Sequence, residues 1–254
     1  MKISTLIILV AVVIATPFVL QKCSFKKTAQ NENLIMVGTC ADYAPFEFID
    51  DAGEFTGFEM EIIKEISKKI NIKIQIKNMQ FEMLIPDLQL GRLDIIAAGI
   101  TPTPERSQQM NFSKPTLDKD PLLIISPKNQ PINDINELQG KDVLVNAGYT
   151  ADLFMSKKNG INLKRLPTVA DAFLALRNND AAAFVTAKTA VAPFFQKYGK
   201  DEFNIVEIPE IFDSYAFGIS NRKPELLEKI NKAITEMEED GTLAQIKTKW
   251  GLND

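Results

Sequence analysis

From residue 34 onward, short apolar runs alternate with stretches whose apolar positions recur every three or four residues. Residues 34–39 (LIMVGT) predict a strand. Residues 59–70 place Met60, Ile63, Ile66 and Ile70 on one helical face. Residues 72–76 alternate isoleucine with lysine and glutamine, a strand with one wetted face. A helix over 81–90 is stopped by Gly91, and residues 94–98 predict a buried strand. This β-α-β-α-β order argues for an α/β sheet.

A second series follows. Residues 121–126 and 142–146 predict strands on either side of a short helix at 135–138. Gly148-Tyr149-Thr150 opens a helix over 150–158, and a further helix spans 169–177 before a strand at 181–185. Residues 190–197 read as helical with Pro193 in the first turn, and residues 215–220 as a strand. Residues 224–239 form a long amphipathic helix presenting Leu227, Ile230, Ala233, Ile234 and Met237, stopped by Gly241. One more helix, 243–250, closes the chain. No internal repeat interrupts this order.

The N-terminus has a different character. Lys2 precedes an apolar run over residues 6–20, and a polar stretch, QKCSFKKTAQNEN, follows it. At roughly 15 residues the run is shorter than the ~20 a membrane span needs, and it matches the apolar core of a signal peptide. Cys23 comes directly after, with Leu20 three positions before it, as in bacterial lipoproteins cut before an acylated cysteine. Lys22 departs from that pattern, which expects a small residue. Acylation at Cys23, an uncleaved anchor and simple secretion therefore stay open. All three place the mature domain outside the cytoplasmic membrane, in a periplasm or at the cell surface. Residues 1–22 read as a signal or anchor segment and 23–33 as a tether.

Composition narrows the chemistry. The 254 residues carry a formal net charge of −4. Basic residues are interleaved with acids, as in Lys64-Glu65 and Lys200-Asp201-Glu202, so no basic face is set out for nucleic acid. There is no histidine, and the two cysteines are Cys23 and Cys40. Histidine-dependent triads, zinc hydrolases and a disulfide framework are excluded. Carboxylate, lysine and tyrosine chemistry remains. No cofactor and no metal are expected.

Three local patterns occur in order. The first is Tyr43-Ala44-Pro45-Phe46-Glu47-Phe48 followed by Gly57-Phe58-Glu59. The second is Ala98-Gly99-Ile100-Thr101-Pro102-Thr103-Pro104-Glu105-Arg106. The third is Asp240-Gly241-Thr242 and then Lys249-Trp250-Gly251. The second makes chemical sense alone: a buried strand breaks at Gly99, and the loop offers backbone N–H groups, the Thr101 hydroxyl and Arg106. A carboxylate fits that arrangement, held by the guanidinium fork. The plainer alternative is a surface Arg106 paired with Glu105.

As an ordered set, the three patterns resemble the polar amino-acid-binding proteins of ABC importers, solute-binding protein family 3, over residues 34–252. The resemblance implies a two-lobed, type II periplasmic-binding-protein-like α/β fold with a ligand cleft between the lobes. It implies that Arg106, with Thr101 and the backbone at Ala98 and Gly99, holds the ligand's α-carboxylate. It further implies that Tyr43 and Phe81 flank the ligand side chain and that Gly148, Tyr149 and Thr150 close from the second lobe. Thr150 could equally be a helix cap. Phe46 and Phe48 read as core by their alternation.

Two positions depart from the family. Relatives carry an aspartate for the α-ammonium at the position of Ala187; shifted alignments offer Val185 or Thr186, again without a carboxylate. Relatives often carry an acid or amide at Cys40, where this chain has a thiol that reads as a small hydrophobe. Glu47 and Glu59 lie close by in sequence and could compensate.

The resulting expectation has lobe one at 34–120 plus 215–254 and lobe two at 121–214. Hinge crossings fall near Asp120-Pro121 and Asp213-Ser214. The protein is expected to be a monomer that captures a polar amino acid, arginine or another basic or polar one, for an ABC permease, without catalysis. Two alternatives stay open: a cyclohexadienyl dehydratase-like enzyme on the same fold, and a non-binding sensor. The dehydratase requires a general acid, which the sequence does not place in the cleft.

Overall fold

The computed structural model describes residues 34–253; the signal segment, the tether and Cys23 lie outside the described residues. Strand β1 (Leu34–Thr39) leads to a small hairpin sheet of β2 (Asp42–Tyr43), β3 (Glu47–Ile49) and β4 (Phe55–Thr56). Helix α1 (Phe58–Lys69) buries Met60, Ile62, Ile63 and Ile66, and acidic first-turn and basic last-turn residues suit its dipole. Then come β5 (Lys73–Asn78), α2 (Phe81–Gln89), β6 (Ile95–Ile96), α3 (Pro104–Ser107) and β7 (Asn111–Phe112).

Strand β8 (Leu117–Pro127) passes into a second sheet. A 3-10 turn (Ile135–Leu138), β9 (Asp142–Asn146), α4 (Thr150–Met155), β10 (Asn162–Leu166), α5 (Val169–Arg177), β11 (Ala183–Ala187) and α6 (Lys188–Tyr198) build that unit. Strand β12 (Phe203–Tyr215) returns to the first, which β13 (Gly218–Ile219), α7 (Pro224–Glu239) and α8 (Thr242–Lys249) complete.

The two main sheets run β5-β1-β6-β13-β7 and β10-β9-β11-β8-β12. In the first, β5, β1 and β6 are parallel; in the second, β10, β9 and β11 are parallel. In such sheets ligands collect beyond the carboxyl ends of the strands. Two buried polar atoms without a partner sit on end residues of this kind: Thr39 Oγ1 at the end of β1 and Asn146 Oδ1 at the end of β9. Apolar side chains fill a continuous core, and a smaller cluster around Leu84, Leu88, Leu93 and Ile96 packs against the first sheet.

The crossings are long paired strands, not loops. β8 and β12 pair antiparallel, with Leu117 opposite Tyr215 and Asp120 opposite Asp213. The ladder slips between Glu207 and Phe212 and again between Asp213 and Tyr215. Lys119 and Glu210 take left-handed φ values of 62° and 60° on these strands. Bulges of this kind bend and twist a strand pair, which suits a hinge.

Several expected boundaries shift. The strand at 181–185 forms at Ala183–Ala187, and that at 94–98 pairs only at Ile95–Ile96. The strand at 215–220 is divided between the end of β12 and β13. Helix α6 starts at Lys188, so Pro193 stands inside it, not in its first turn. Leu226, not Leu227, is the first buried position of α7. Glu47 is fully buried whereas Phe48 is half-buried against Trp250, the reverse of what alternation predicts. The reason is local: β3 begins at Glu47, opposite Tyr43, and that pair faces inward.

Candidate ligand cleft between the lobes

The cleft is built from the first lobe upward. Tyr43 is buried and stacks on Phe46, with ring centres 5.3 Å apart. Gly99 lies beneath its ring with φ +53°, and a Cβ there would stand 2.7 Å from the tyrosine ring. Glycine is therefore required on two counts, backbone conformation and space. The Gly99 N–H donates to Glu59 Oε2 at 3.1 Å, and Ala98 beside it is buried.

Arg106 stands on α3, a single turn whose N-cap Thr103 accepts the Arg106 N–H. Its side chain is buried, at 3% exposure. Nη1 donates to the Thr101 carbonyl at 2.6 Å and Nη2 to the Gly148 carbonyl of the second lobe at 2.8 Å. The guanidinium also lies over the Phe81 ring, 5.5 Å from its centre. Among the described residues no carboxylate comes within ion-pair distance of it. Glu105 pairs instead with Lys157 at 3.2 Å. Burial lowers the Arg106 pKa to about 10, so the group stays charged at neutral pH. A buried cation without a counter-ion is costly, and a carboxylate is the group whose charge and shape would match it.

The second lobe contributes Tyr149, whose ring meets Phe81 at 4.6 Å and Tyr43 at 5.5 Å. Gly148 sits over Phe81 with φ +75°. Thr150 is the first residue of α4 and not its cap; Tyr149 holds the cap position without a side-chain bond. Asp152 Oδ2 accepts the Gly148 N–H at 3.0 Å. The helix expected over 150–158 ends at Met155, so little dipole is available there. The backbone carbonyl of Gly148, toward Arg106, the Tyr149 ring and the Thr150 side chain, toward Asp213, are what this segment brings to the site.

Acids occupy the floor. The Thr101 hydroxyl donates to Asp213 Oδ1 at 2.7 Å and accepts the Ser214 N–H at 3.2 Å. A hydroxyl has one proton, so in this arrangement it is spent on Asp213. Burial is the main reason that Asp213 is raised to about 6, and the charge of Asp120 adds to it; hydrogen bonds from Thr101 and Thr150 and the charge of Arg106 pull the other way. Asp120 accepts the Tyr215 hydroxyl at 2.8 Å and the Thr189 N–H at 3.1 Å, and burial raises it too. Tyr215 and Tyr43 hydroxyls meet at 3.2 Å, linking Asp120 to the aromatic wall.

Glu47 is wholly buried, and neither of its carboxyl oxygens has a partner. A Cβ on Gly99 would lie 3.7 Å from Glu47 Oε1, which places this carboxyl beneath the same wall as Tyr43. Burial and then the charge of Glu59 push it well above the usual carboxylate range. Burial raises Glu59 to about 8, opposed by the Gly99 N–H. Cys40 is buried with Phe81 and Leu84, its thiol 3.3 Å from Asp42 Oδ1, and burial drives its pKa upward. It is a neutral thiol on the rim of the cluster. Ala187, buried at the end of β11, offers no polar side chain.

Tyr43, Phe81, Gly99, Thr101, Arg106, Gly148 and Tyr149 therefore converge, and Thr150 joins them through Asp213. Asp120 and Asp213 were marked in the sequence only as hinge landmarks, and the expectation of a cleft without carboxylates does not hold. The only sequence signal is position: Asp120 stands directly before Pro121-Leu122-Leu123 and Asp213 directly after Ile211-Phe212, and nothing in the chain order shows that the two face each other. No cluster of three metal-ligating side chains occurs among the described residues. No helix among them is long and apolar enough to cross a membrane.

A family described as bacterial extracellular solute-binding proteins, family 3, matches residues 35–253. The arginine-binding extracellular protein ArtP of Bacillus subtilis is 29% identical, over 96% of this chain and 96% of that protein. An ancestral arginine-binding protein solved with arginine superposes with a TM-score of 0.79 at 34% identity, covering 86% of this chain and 98% of the other. An ancestral arginine-binding protein bound to glutamine gives 0.80 at 33% identity, over 87% and 99%.

Proposed function

The chain belongs to the bacterial extracellular solute-binding proteins, family 3, and from that membership we propose that it captures a basic amino acid, arginine first, outside the cytoplasmic membrane and hands it to an ABC importer. One observation carries the reading: the buried guanidinium of Arg106 has no carboxylate within ion-pair distance among the described residues. Arg106 takes the ligand's α-carboxylate, with the backbone at Ala98, Gly99 and Thr101 beside it. Tyr43, Phe81 and Tyr149 enclose the ligand's side chain. Glu47 faces the cationic end, the task that Cys40 cannot perform.

The lobes are residues 34–120 with 215–254, and 121–214. They close across the β8/β12 ribbon by the Arg106–Gly148 bond and the Tyr149 contacts. The protein acts as a monomer held near the membrane through its N-terminal segment, with Cys23 the candidate acylation site. It does no chemistry on its ligand. Calorimetry against the twenty amino acids tests the reading: arginine, lysine or histidine gives the largest affinity, and no heat with any of them overturns it.

One observation favours a second reading. Glu47 and Asp213 are raised carboxyls in the cleft, and a protonated carboxyl could serve as the acid of an elimination. Incubation of purified protein with prephenate and arogenate decides it. No turnover is expected, because the Thr101 hydroxyl proton is already committed to Asp213 and neither carboxyl oxygen of Glu47 has a hydrogen-bond partner to relay a proton.

A further inference from the structure

Ala187 leaves a charge unanswered. An amino acid brings an ammonium one carbon away from the carboxylate that Arg106 takes, and the end of β11 supplies no acid for it. The crossover ribbon does. Asp120 and Asp213 stand opposite one another in the β8/β12 ladder, so both side chains leave the same face. Both are buried, at 5% and 6% exposure. Neither lies within ion-pair distance of a cation among the described residues.

Their surroundings fix where that pair points. Asp213 accepts from Thr101, whose own carbonyl accepts from Arg106. Its carboxylate is thus one residue removed from the guanidinium without pairing with it. Asp120 accepts the N–H of Thr189, two residues beyond Ala187, so the other end of the pair reaches the strand end where an acid is wanting. Like charges directly opposite on a ribbon oppose folding. A cation between them and the guanidinium turns that repulsion into attraction.

We propose that Asp213, backed by Asp120, holds the ligand's α-ammonium, the role having moved from the strand end at Ala187 to the hinge ribbon. The proposal rests on the amino-acid-binding reading above. It also places ammonium recognition on the paired strands that run between the two sheets, since Asp120 lies within Leu117–Pro127 and Asp213 within Phe203–Tyr215.

The test is calorimetry on the purified protein with L-arginine and its α-deaminated analogue, 5-guanidinopentanoate. The wild type is expected to prefer L-arginine by about tenfold or more, the range of a charge-assisted hydrogen bond. In Asp213→Asn the preference falls below about threefold, because only the ammonium-bearing ligand loses a partner. A merely structural role would weaken both ligands alike and keep the ratio, which overturns the proposal. Ala187→Asp in the wild-type background gives a second readout that does not depend on the hinge variant folding. An ammonium already satisfied gains less than about threefold from the new acid, whereas a gain of about tenfold overturns the proposal. Wild-type protein that binds L-arginine without preference over the analogue refutes this inference alone. Wild-type protein that binds none of L-arginine, L-lysine and L-histidine refutes the amino-acid reading and this inference with it.

Discussion

Nη2 of Arg106, in the first lobe, donates to the carbonyl oxygen of Gly148, in the second, at 2.8 Å. One side chain thus serves two ends: its charge waits for a carboxylate and its fork already touches the opposite lobe. On the proposed reading, ligand binding and closure share a residue.

Arg106→Ala should therefore lose both. Removing one partner of a buried charge pair costs about 3–5 kcal/mol, so arginine affinity is expected to fall by a factor of about a hundred or more. Arg106→Lys should not restore it, because an ammonium lacks the fork that meets a carboxylate and the Gly148 carbonyl together. Calorimetry measures the first effect, and small-angle scattering with saturating arginine measures whether the variant still closes. Undiminished ligand affinity in Arg106→Ala would remove the carboxylate clamp.

The exposed ion pair between Lys157 and Glu105 is expected to matter little. Lys157 and Glu105 are 3.2 Å apart, with side chains 69% and 57% exposed. Exposed pairs contribute roughly 0–1 kcal/mol. Lys157→Ala should shift arginine affinity by less than about fivefold, and less still at high salt. A larger loss would mean that closure is held by rim charges and not by the Arg106–Gly148 bond and the aromatic contacts.

Glu47→Gln separates stability from binding. The carboxylate is buried without a partner, a state that opposes folding whenever it is charged. The amide cannot ionise, so the ligand-free melting temperature at neutral pH should hold or rise. Affinity for arginine should drop about tenfold or more, since a charge-assisted contact to the guanidinium is lost, while glutamine should lose far less. Equal losses for the two ligands would place Glu47 outside the side-chain pocket.

Much of this was legible in the sequence, for definite reasons. α1 and α7 carry apolar residues at helical spacing, and their bounds fell within a residue of expectation. The Gly99 break and Arg106 were readable because a glycine demand and a lone arginine sit together in the chain. The pairing of Asp120 with Asp213 was not readable. They are far apart in sequence, and only the antiparallel ribbon brings them face to face. Phe48 was misread for a different reason: alternation assigns it to the core with Phe46, but the two-residue strand β2 sets a register that turns Glu47 inward with Tyr43 and leaves Phe48 half-buried. Short strands lack the pattern length that would reveal their facing. β10 was missed for a related cause, since its sequence NLKRL is mostly polar at an exposed sheet edge.

Ligand-free stability should fall as pH rises from about 4 to about 6. Burial raises Asp213 from the ordinary aspartate value of 3.8 to about 6. In that window the native state keeps a proton that the unfolded chain releases, so the sign favours acid. The contribution is fully present below the unfolded value and lost on passing the folded one. Its full size is about 3 kcal/mol by the pKa difference. Glu59, raised to about 8, acts in the same direction at higher pH. Chemical denaturation at pH 4.5 and 6.5 measures the slope, and Asp213→Asn should flatten it. A stability that climbs with pH over this range, and that Asp213→Asn leaves unchanged, would mean that Asp213 is compensated in the ligand-free protein.

Gly99→Ala tests the floor of the cleft. The site demands a left-handed backbone at φ +53°, where a side chain costs roughly 1–2 kcal/mol. The new Cβ would also meet the Tyr43 ring at 2.7 Å, so the ring must move. Tyr43 carries contacts to Phe46, Tyr149 and Tyr215, and displacing it loosens the wall on both lobes. The melting temperature should fall by about 3–8 °C on the scale of a domain this size. Arginine affinity should fall further than the stability loss alone would suggest, because the binding surface is deformed while the fold survives. A variant with native stability and native affinity would show that Tyr43 does not rest on Gly99 in solution.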